Sequence, residues 1–318
     1  MTQISIVNTV EWEEADWLRL DCLGEVSYNP GYPAGEEDLV VRIGKAEIAI
    51  GADVRFSAEV IRHSLNLAMI SLWSTGHDTV DLEAARRQRV VVSYVPAYSS
   101  YSVAEHTWAM VLHLAKKLAE ADAHVRAKRF DWSAIQGMEL HDMTVGILGA
   151  GAIGMHSAAI ANGFGCRVLA CTRHPDPVRA QKLRLTFVPF LELLARSDIL
   201  LVHVPLTAET RDMVDTHAFQ RMERKPILVN TARGEIIEPK ALARAVDEGQ
   251  IRGLGLDVLW QEPPDWDDPI VQKLLASKNV LLSPHCASHT REAFRKLTSI
   301  CIDNVEAFLR GAPANVLT

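Results

Sequence analysis

The sequence predicts an α/β protein with two domains, each built on a doubly wound parallel sheet. Short apolar runs alternate with helical patterns in two separate series, which is the arrangement of parallel strands covered by helices on both faces. The second series begins at a glycine-rich turn, 149–154, directly after an apolar run. The chain has 318 residues, of which 48% are hydrophobic, and this is enough to fill two cores.

The first series contains four predicted strands and two predicted helices. The strands are short apolar runs at 4–7, 46–50, 67–72 and 90–94. The helices cover 57–63 and 81–89, and each begins at a side chain that caps helix N-termini well, Ser57 or Asp81. We expect this series to form a flavodoxin-like sheet.

The second series has a more regular pattern and contains six predicted strands. They lie at 144–148, 167–171, 199–203, 227–230, 253–257 and 280–282. The predicted helices between them include 153–162, 190–195 and 239–248. Six strands, the first of which leads into a glycine-rich turn, are typical of a Rossmann dinucleotide-binding sheet.

Two longer helical patterns, 103–128 and 290–310, lie outside both series. We expect them to carry the chain between the domains, so that the C-terminal helix completes the first domain. The predicted domains are therefore a discontinuous one, 1–97 with 288–318, and a central one, 98–287.

Composition argues against several classes of function. The net charge of −7 disfavours a nucleic-acid surface, which needs clustered lysines and arginines. No apolar run approaches the roughly 20 residues that span a bilayer. The chain has 5 cysteines without C-x-x-C spacing, which disfavours a disulfide framework or a zinc site. We expect a cytoplasmic protein without a nucleic-acid, membrane or metal partner.

The glycine-rich turn predicts a dinucleotide site. In a strand–turn–helix unit, Gly149 would allow the tight turn, Gly151 would let the backbone approach a pyrophosphate, and Gly154 would let helix and strand pack closely. Ala152 and Ile153 begin the helix, whose positive N-terminal end favours phosphate. We therefore predict that these five residues bind the cofactor.

The residues after the next predicted strand indicate which dinucleotide is preferred. NAD sites place an Asp or Glu there, roughly 20 residues after the turn, to bind the ribose 2′-hydroxyl. Here Thr172 stands 18 residues after Gly154, and Arg173 follows it. A hydroxyl and a guanidinium suit a 2′-phosphate, which a carboxylate repels. We predict that NADP is preferred, with NAD as the second cofactor; alternatively, Arg173 stacks on the adenine or points to solvent.

Three polar segments follow predicted strands of the second sheet, where ligands bind in open α/β sheets. They contain Arg233, Glu262 and His285. Taken singly, each has an ordinary structural explanation: a turn or surface charge, an exposed acidic loop, and a structural histidine. Their joint occurrence after successive strands favours a catalytic site.

Together with Val103-Ala-Glu-His106 and Thr75-Gly-His-Asp-Thr-Val-Asp81, these segments resemble the D-isomer-specific 2-hydroxyacid dehydrogenase family, in particular its glyoxylate and hydroxypyruvate reductases. The resemblance covers essentially the whole chain. It implies a discontinuous substrate domain, a central cofactor domain and a homodimer, and Phe130-Asp-Trp132 resembles the arm that supports dimers in relatives. His106 itself is explained equally well by packing or by helix capping.

The resemblance also implies a role for each site residue. Arg233 matches the arginine that clamps the substrate carboxylate, His285 the acid/base that protonates the carbonyl oxygen, and Glu262 the partner of that histidine. Backbone N–H groups near Thr75 and Gly76 would hold the substrate carboxylate. The remaining residues would lie along the cofactor: Thr231, Ala232 and Asp257 near the nicotinamide, and Pro205 on the adenosine side.

The leading hypothesis is an oxidoreductase that transfers a hydride from NADPH to a small 2-oxo acid, such as glyoxylate or hydroxypyruvate, to give a D-2-hydroxy acid. A formate-type enzyme of this fold is expected to carry Gln rather than Glu beside the histidine, so Glu262 argues against it. The alternative is a dinucleotide-sensing protein of the corepressor type, in which redox chemistry is secondary.

Overall fold

The computed structural model describes residues 1–133 and 135–318. The chain divides into two compact units, Met1–Ser99 with His289–Thr318, and Ser100–Ser288. Each unit contains one sheet, of five strands in the first unit and seven in the second, and the paired strands are parallel. The prediction of two parallel-sheet α/β domains is confirmed.

The strands and helices are numbered along the chain. The strands are β1 (Gln3–Ile6), β2 (Glu25–Tyr28), β3 (Ile48–Gly51), β4 (Met69–Leu72), β5 (Val91–Ser93), β6 (Thr144–Leu148), β7 (Arg167–Cys171), β8 (Leu185–Phe187), β9 (Ile199–Val202), β10 (Ile227–Asn230), β11 (Gly253–Leu256) and β12 (Val280–Leu282). The helices are α1 (Glu14–Asp21), α2 (Glu36–Ile43), α3 (Ala58–His63), α4 (Leu82–Gln88), α5 (Ser100–Lys116), α6 (Leu118–Arg126), α7 (Ala152–Gly163), α8 (Pro177–Lys182), α9 (Phe190–Arg196), α10 (Thr216–Gln220), α11 (Pro239–Asp247), α12 (Pro269–Ala276) and α13 (Arg291–Leu309), with a 3₁₀ turn at Gly234–Ile236.

The first sheet has the order β2-β1-β3-β4-β5. Its central strand β3 is buried at all four positions, with Ala49 against one core and Ile48 and Ile50 against the other. Strand β2 was not predicted, because this edge strand exposes Glu25, Ser27 and Tyr28 and so has no continuous apolar run.

The second sheet has the order β12-β11-β10-β9-β6-β7-β8. From β6, the chain builds outward through β7 to β8, and then returns to build the other half from β9 to β12. The direction of building therefore reverses between β6 and β9, and ligands of such sheets bind outside the carboxyl ends of the strands at this point. The edge strand β8, which has only three residues, was missed by the sequence analysis.

The central strands of the second sheet are buried on both faces. In β9, Ile199 and Leu201 face one hydrophobic core, whereas Leu200 and Val202 face the other, and all four are 0% exposed. A strand buried on both faces appears in sequence as a continuous apolar run, which explains why these strands were predicted correctly.

The predicted helix 103–128 is two helices, and this prediction was wrong. The chain breaks at Lys117, whose φ of 52° is left-handed, between α5 and α6. Eight residues of α5 are buried, whereas in α6, which is described in full, none is. The apolar repeat continued across the break, but only α5 packs into the core.

Across residues 1–133 and 135–318, no helix combines the length and the apolar character needed to cross a membrane.

Candidate active site

The three glycines after β6 lie in different surroundings, and two of them leave no room for a side chain. Gly149 has φ of 102°, and a Cβ there would lie 2.6 Å from the carbonyl carbon of His203. A Cβ at Gly154 would lie 2.1 Å from the carbonyl oxygen of Gly149, so this glycine lets α7 pack closely on the turn. At Gly151, an added Cβ would meet no atom of the described residues within 4 Å. The turn is therefore tight on its protein side and open beside Gly151.

The open side lies at the N-terminus of α7. Gly151 is the N-cap, and Ala152 and Ile153 begin a helix of 12 residues whose first turn contains only uncharged side chains. The N-terminal end of a helix carries partial positive charge, which favours an anion. These residues fit the pyrophosphate of a dinucleotide.

The end of β7 holds the two residues predicted to select the cofactor. Thr172 is half-buried and Arg173 is exposed. Arg173 forms an ion pair with Glu209, in which the two side chains are 60% and 73% exposed. Exposed ion pairs contribute little free energy, so Glu209 holds the guanidinium only weakly.

Arg233 follows β10 in a turn that Asn230 holds in place. The Asn230 amide donates to the Arg233 carbonyl at 2.8 Å, and its own oxygen accepts from the Ala232 N–H at 3.0 Å. Thr231 exchanges a hydrogen bond with Thr107 at 2.9 Å. The backbone that leads into Arg233 and the carbonyl of Arg233 itself are thus held in place.

The next residue brings this turn against the segment that follows β11. A Cβ at Gly234 would lie 2.1 Å from the carbonyl carbon of Leu259, so only glycine allows the two backbones to approach this closely. The Leu259 N–H donates to Glu262 Oε1 at 3.0 Å. As a result, the loop carrying Glu262 lies beside the turn carrying Arg233.

Glu262 and His285 form the central pair of the site. His285 Nδ1 lies 2.6 Å from Glu262 Oε2, with the two side chains 40% and 38% exposed. Because Nδ1 is bonded to the carboxylate, Nε2 is the ring nitrogen that can exchange a proton with a ligand.

The electrostatics of the pair favour an imidazolium. The hydrogen bond to Glu262 and the charge of that carboxylate raise the pKa of His285 above its ordinary value, against the opposing effects of burial and of Arg233. Burial alone would raise the pKa of Glu262, but its hydrogen bond with His285 and the positive charges nearby lower it. Because the turn after Arg233 packs against the segment that binds Glu262, and Glu262 binds His285, the structure brings the three predicted catalytic residues together.

Asp257, directly after β11, supports the backbone around His285. Its side chain is fully buried, and its carboxylate accepts from the N–H groups of Cys286 and Ala287, both at 2.9 Å. Its carbonyl accepts from the His285 N–H at 2.7 Å. Sequence reasoning placed Asp257 beside the nicotinamide and did not foresee these bonds.

Comparison with known proteins decides the family. Residues 108–287 match the family described as D-isomer specific 2-hydroxyacid dehydrogenase, NAD binding domain. The chain belongs to this family. The predicted family resemblance, the class of nicotinamide-dependent oxidoreductase and a nicotinamide dinucleotide cofactor are confirmed.

Individual relatives of this dehydrogenase carry different names. The chain is 36% identical to a glyoxylate reductase of Korarchaeum cryptofilum over 82% of this chain and 79% of the relative. It is 32% identical to D-3-phosphoglycerate dehydrogenase of Archaeoglobus fulgidus over 98% of this chain, but spans only 58% of that relative's length. A solved acyclic imino acid reductase (Bsp5), in complex with NADPH and D-Arg, superposes with a TM-score of 0.91 at 27% identity, with 100% of each chain covered.

The predicted residues Thr75, Gly76 and Pro205 of the dehydrogenase form local hydrogen bonds with their own loops or with neighbouring segments. Thr75 and Gly76 belong to the first unit, after β4, where Thr75 Oγ1 donates to the Val95 carbonyl at 2.5 Å and Ser74 Oγ to the Gly76 carbonyl at 2.7 Å. Pro205 follows β9, is exposed, and accepts from Thr210 Oγ1 at 2.6 Å.

Several polar residues that shape the dehydrogenase site were missed by sequence reasoning. Asn230 and Ser283 hold backbone or carboxylate groups of the site, and Glu209 pairs with Arg173. The first two each stand at the end of a predicted strand, which is a usable pattern for finding them. Glu209 lies in a separate loop, so only the folded chain brings it to Arg173.

Proposed function

We propose that this protein reduces a small 2-oxo acid of the glyoxylate or hydroxypyruvate type to a D-2-hydroxy acid, with a hydride from NADPH. The observation that carries the proposal is the 2.6 Å hydrogen bond between His285 and Glu262, with Arg233 acting on both. An acid held beside a carboxylate, next to a guanidinium, suits a substrate that contains both a carbonyl and a carboxylate.

Each catalytic residue has one task in this reduction. Arg233 binds the carboxylate of the 2-oxo acid through a planar fork of donors, which a lysine does not offer. His285 donates its Nε2 proton to the carbonyl oxygen as that oxygen gains negative charge. Bound NADPH supplies the hydride to carbon 2. Glu262 keeps the imidazole oriented and protonated, since it binds Nδ1 and raises the pKa of the ring.

The cofactor proposal assigns the second unit as the cofactor domain. Its binding residues would be the turn at 149–154 for the pyrophosphate, Thr172 and Arg173 for a 2′-phosphate, Pro205 on the adenosine side, and Thr231, Ala232 and Asp257 near the nicotinamide. Support for NADPH over NADH comes from the absence of a carboxylate at positions 172 and 173 and from the exposed guanidinium of Arg173.

The substrate proposal assigns 1–97 with 288–318 as the substrate domain and 98–287 as the cofactor domain. Backbone groups at Thr75 and Gly76, with Arg233 and His285, would bind the 2-oxo acid. We further propose that the protein is cytoplasmic, which its 5 free cysteine thiols support. We also propose that it is a homodimer, which the exposed aromatic residues Phe130 and Trp132 support.

The test is consumption of NADPH by the purified protein with glyoxylate, hydroxypyruvate, pyruvate and phenylpyruvate in parallel, and with NADH in place of NADPH. We expect oxidation with the smaller acids and a kcat/KM ratio of NADPH to NADH of about 10 or more, because charge-assisted hydrogen bonds to a phosphate contribute on that scale. Arg173→Ala should bring the ratio towards unity.

The carboxylate clamp is tested in the same assay. Arg233→Ala should lower kcat/KM by about 100-fold or more, since a bidentate charged contact is lost. The matched control is Arg224→Ala, which removes a surface arginine that forms an ion pair with Asp198 at 3.0 Å and should leave the kinetics unchanged. Tight binding of NADPH without oxidation by any acid would overturn the proposal in favour of a dinucleotide sensor.

A further inference from the structure

A row of hydrogen-bonded side chains lies behind the catalytic histidine, within the second unit. His106 Nε2, on α5, lies 3.0 Å from Ser283 Oγ, which follows β12. Ser283 Oγ in turn lies 2.5 Å from Asp257 Oδ1, after β11, and His106 Nε2 is 3.6 Å from the same oxygen. The row joins a helix outside the predicted strand series to the carboxyl ends of two neighbouring strands.

The direction of these hydrogen bonds follows from the groups themselves. An ionised carboxylate only accepts, so the single proton of the Ser283 hydroxyl is directed to Asp257. Ser283 Oγ then has only lone pairs to offer His106, and therefore Nε2 of that ring must carry a proton. The contact therefore requires that the His106 ring carry a proton on Nε2, which packing or helix capping would not require.

The row ends on a backbone turn that needs support. His285 has φ of 53°, a left-handed conformation that is uncommon for a residue other than glycine, asparagine or aspartate. Asp257 holds this turn at three points: its carbonyl binds the His285 N–H, and its carboxylate binds the N–H groups of Cys286 and Ala287. The direction in which the His285 imidazole leaves the backbone thus depends on how the Asp257 carboxylate is oriented.

The same region also brings together three types of metal ligand, from His106, Asp257 and Cys286, with their ligand atoms within 4.8 Å of one another. A metal ion here would compete with hydrogen bonds that already use both oxygens of Asp257, from Ser283, Cys286 and Ala287. Because these bonds hold the catalytic turn, the hydrogen-bonded arrangement accounts for the geometry without an ion.

We propose that His106 is a positioning residue: through Ser283 it orients the Asp257 carboxylate, which holds the 285–287 turn and so aims the His285 imidazole at Glu262 and at the substrate. This inference rests on the proposed reduction for its last step. Loss of the Nε2–H donor lets Ser283 and Asp257 reorient, and the turn then holds the imidazole less accurately. Misplacement of a catalytic group by about 1 Å lowers the rate by up to about 100-fold.

The experiment compares His106→Ala with His106→Gln in the full-length protein. The alanine variant has no donor at this place, whereas the amide N–H of glutamine reaches about as far as Nε2. We expect kcat to fall by about 10-fold or more in His106→Ala, with KM for the 2-oxo acid changed by less than about twofold, because the carboxylate clamp is untouched. His106→Gln should restore most of kcat. His113→Ala, on the same helix, is the control for a histidine lost from α5.

A second readout does not need turnover. NMR titration of the histidine ring signals reports the pKa of His285 in each variant, and we expect it to fall in His106→Ala and to stay high in His106→Gln and His113→Ala. An unchanged His285 titration together with an unchanged kcat in His106→Ala would overturn the positioning role, as would a loss in His106→Gln equal to that in His106→Ala. A wild-type protein inactive towards every 2-oxo acid would instead sink the proposed function, while the titration still tests the positioning role.

Discussion

At the scale of single residues, the pH range of the proposed reduction depends on Glu262. Ketone reduction needs a protonated His285, so the rate falls as the pH rises through the pKa of this histidine. Glu262 raises that pKa. In Glu262→Gln the negative charge is lost, the pKa of His285 falls, and the alkaline limb of the kcat/KM profile should move to lower pH. The measurement is kcat/KM against pH for both proteins.

Glutamine also has one acceptor oxygen where Glu262 uses two. Glu262 Oε1 binds the Leu259 N–H and Oε2 binds His285 Nδ1, so the amide can serve only one of them as an acceptor. The control is Glu59→Gln, which alters a carboxylate next to His63 on the surface of the other unit and should leave the profile in place. An alkaline limb that stays where it is in Glu262→Gln would show that another group holds the proton on His285.

Single residues also show how far the sequence could predict the site. Arg233, Glu262 and His285 each follow a strand of one parallel sheet, and a common sheet edge is enough to predict that they converge. Glu209 and His106 come from a separate loop and from a helix outside the strand series. Their contacts with Arg173 and Ser283 depend on the packing of the whole unit, which local sequence does not specify.

At the scale of elements, the packing of α7 against the turn after β6 rests on Gly154. In Gly154→Ala the new methyl group would lie 2.1 Å from the Gly149 carbonyl oxygen, so the helix must move away from the turn. Overpacking of this kind costs about 1–3 kcal/mol of the free energy of unfolding. We expect a lower Tm and a Kd for NADPH raised by about tenfold, because the helix N-terminus is displaced from the phosphate site.

The same helix offers the matched control for this change. At Gly163, the last residue of α7, an added Cβ meets no atom of the described residues within 4 Å. Alanine is favoured over glycine in a helix by up to about 1 kcal/mol, so Gly163→Ala should keep or raise the Tm. Thermal melts and NADPH titrations of both variants check the pair; equal effects at the two positions would contradict the close packing at Gly154.

Elements with strong sequence patterns were predicted well, and those with weak patterns were not. The ten predicted strands lie within two residues of the observed ones at each end, because each is a short apolar run, including the edge strands β5 and β12. The edge strands β2 and β8 were missed, since polar residues interrupt the apolar run in Glu25–Tyr28 and in Leu185–Phe187. The break at Lys117 was missed because burial, rather than the apolar repeat, ends there.

At the scale of the whole molecule, an exposed aromatic arm supports the proposed homodimer. Phe130 is 96% exposed and Trp132 is 86% exposed, although both are large apolar side chains. Neighbouring exposed aromatic residues mark interaction surfaces in soluble proteins. Leu118 and Val125 of the preceding helix α6, which has no buried residue along its fully described length, are also more than half exposed. A second copy of this chain would bury these side chains.

The prediction concerns the mass of the particle in solution. The wild-type protein should sediment as a dimer in analytical ultracentrifugation at micromolar concentration, because burial of several large apolar side chains is worth about 1.5–3 kcal/mol each. Phe130→Ser combined with Trp132→Ser should shift the equilibrium towards the monomer. Trp266→Ser removes an aromatic side chain that is 60% exposed elsewhere in the same unit, and it should leave the dimer intact. A wild-type protein that sediments as a monomer would refute the proposed dimer. A double variant that still sediments as a dimer would show that the interface lies on another surface.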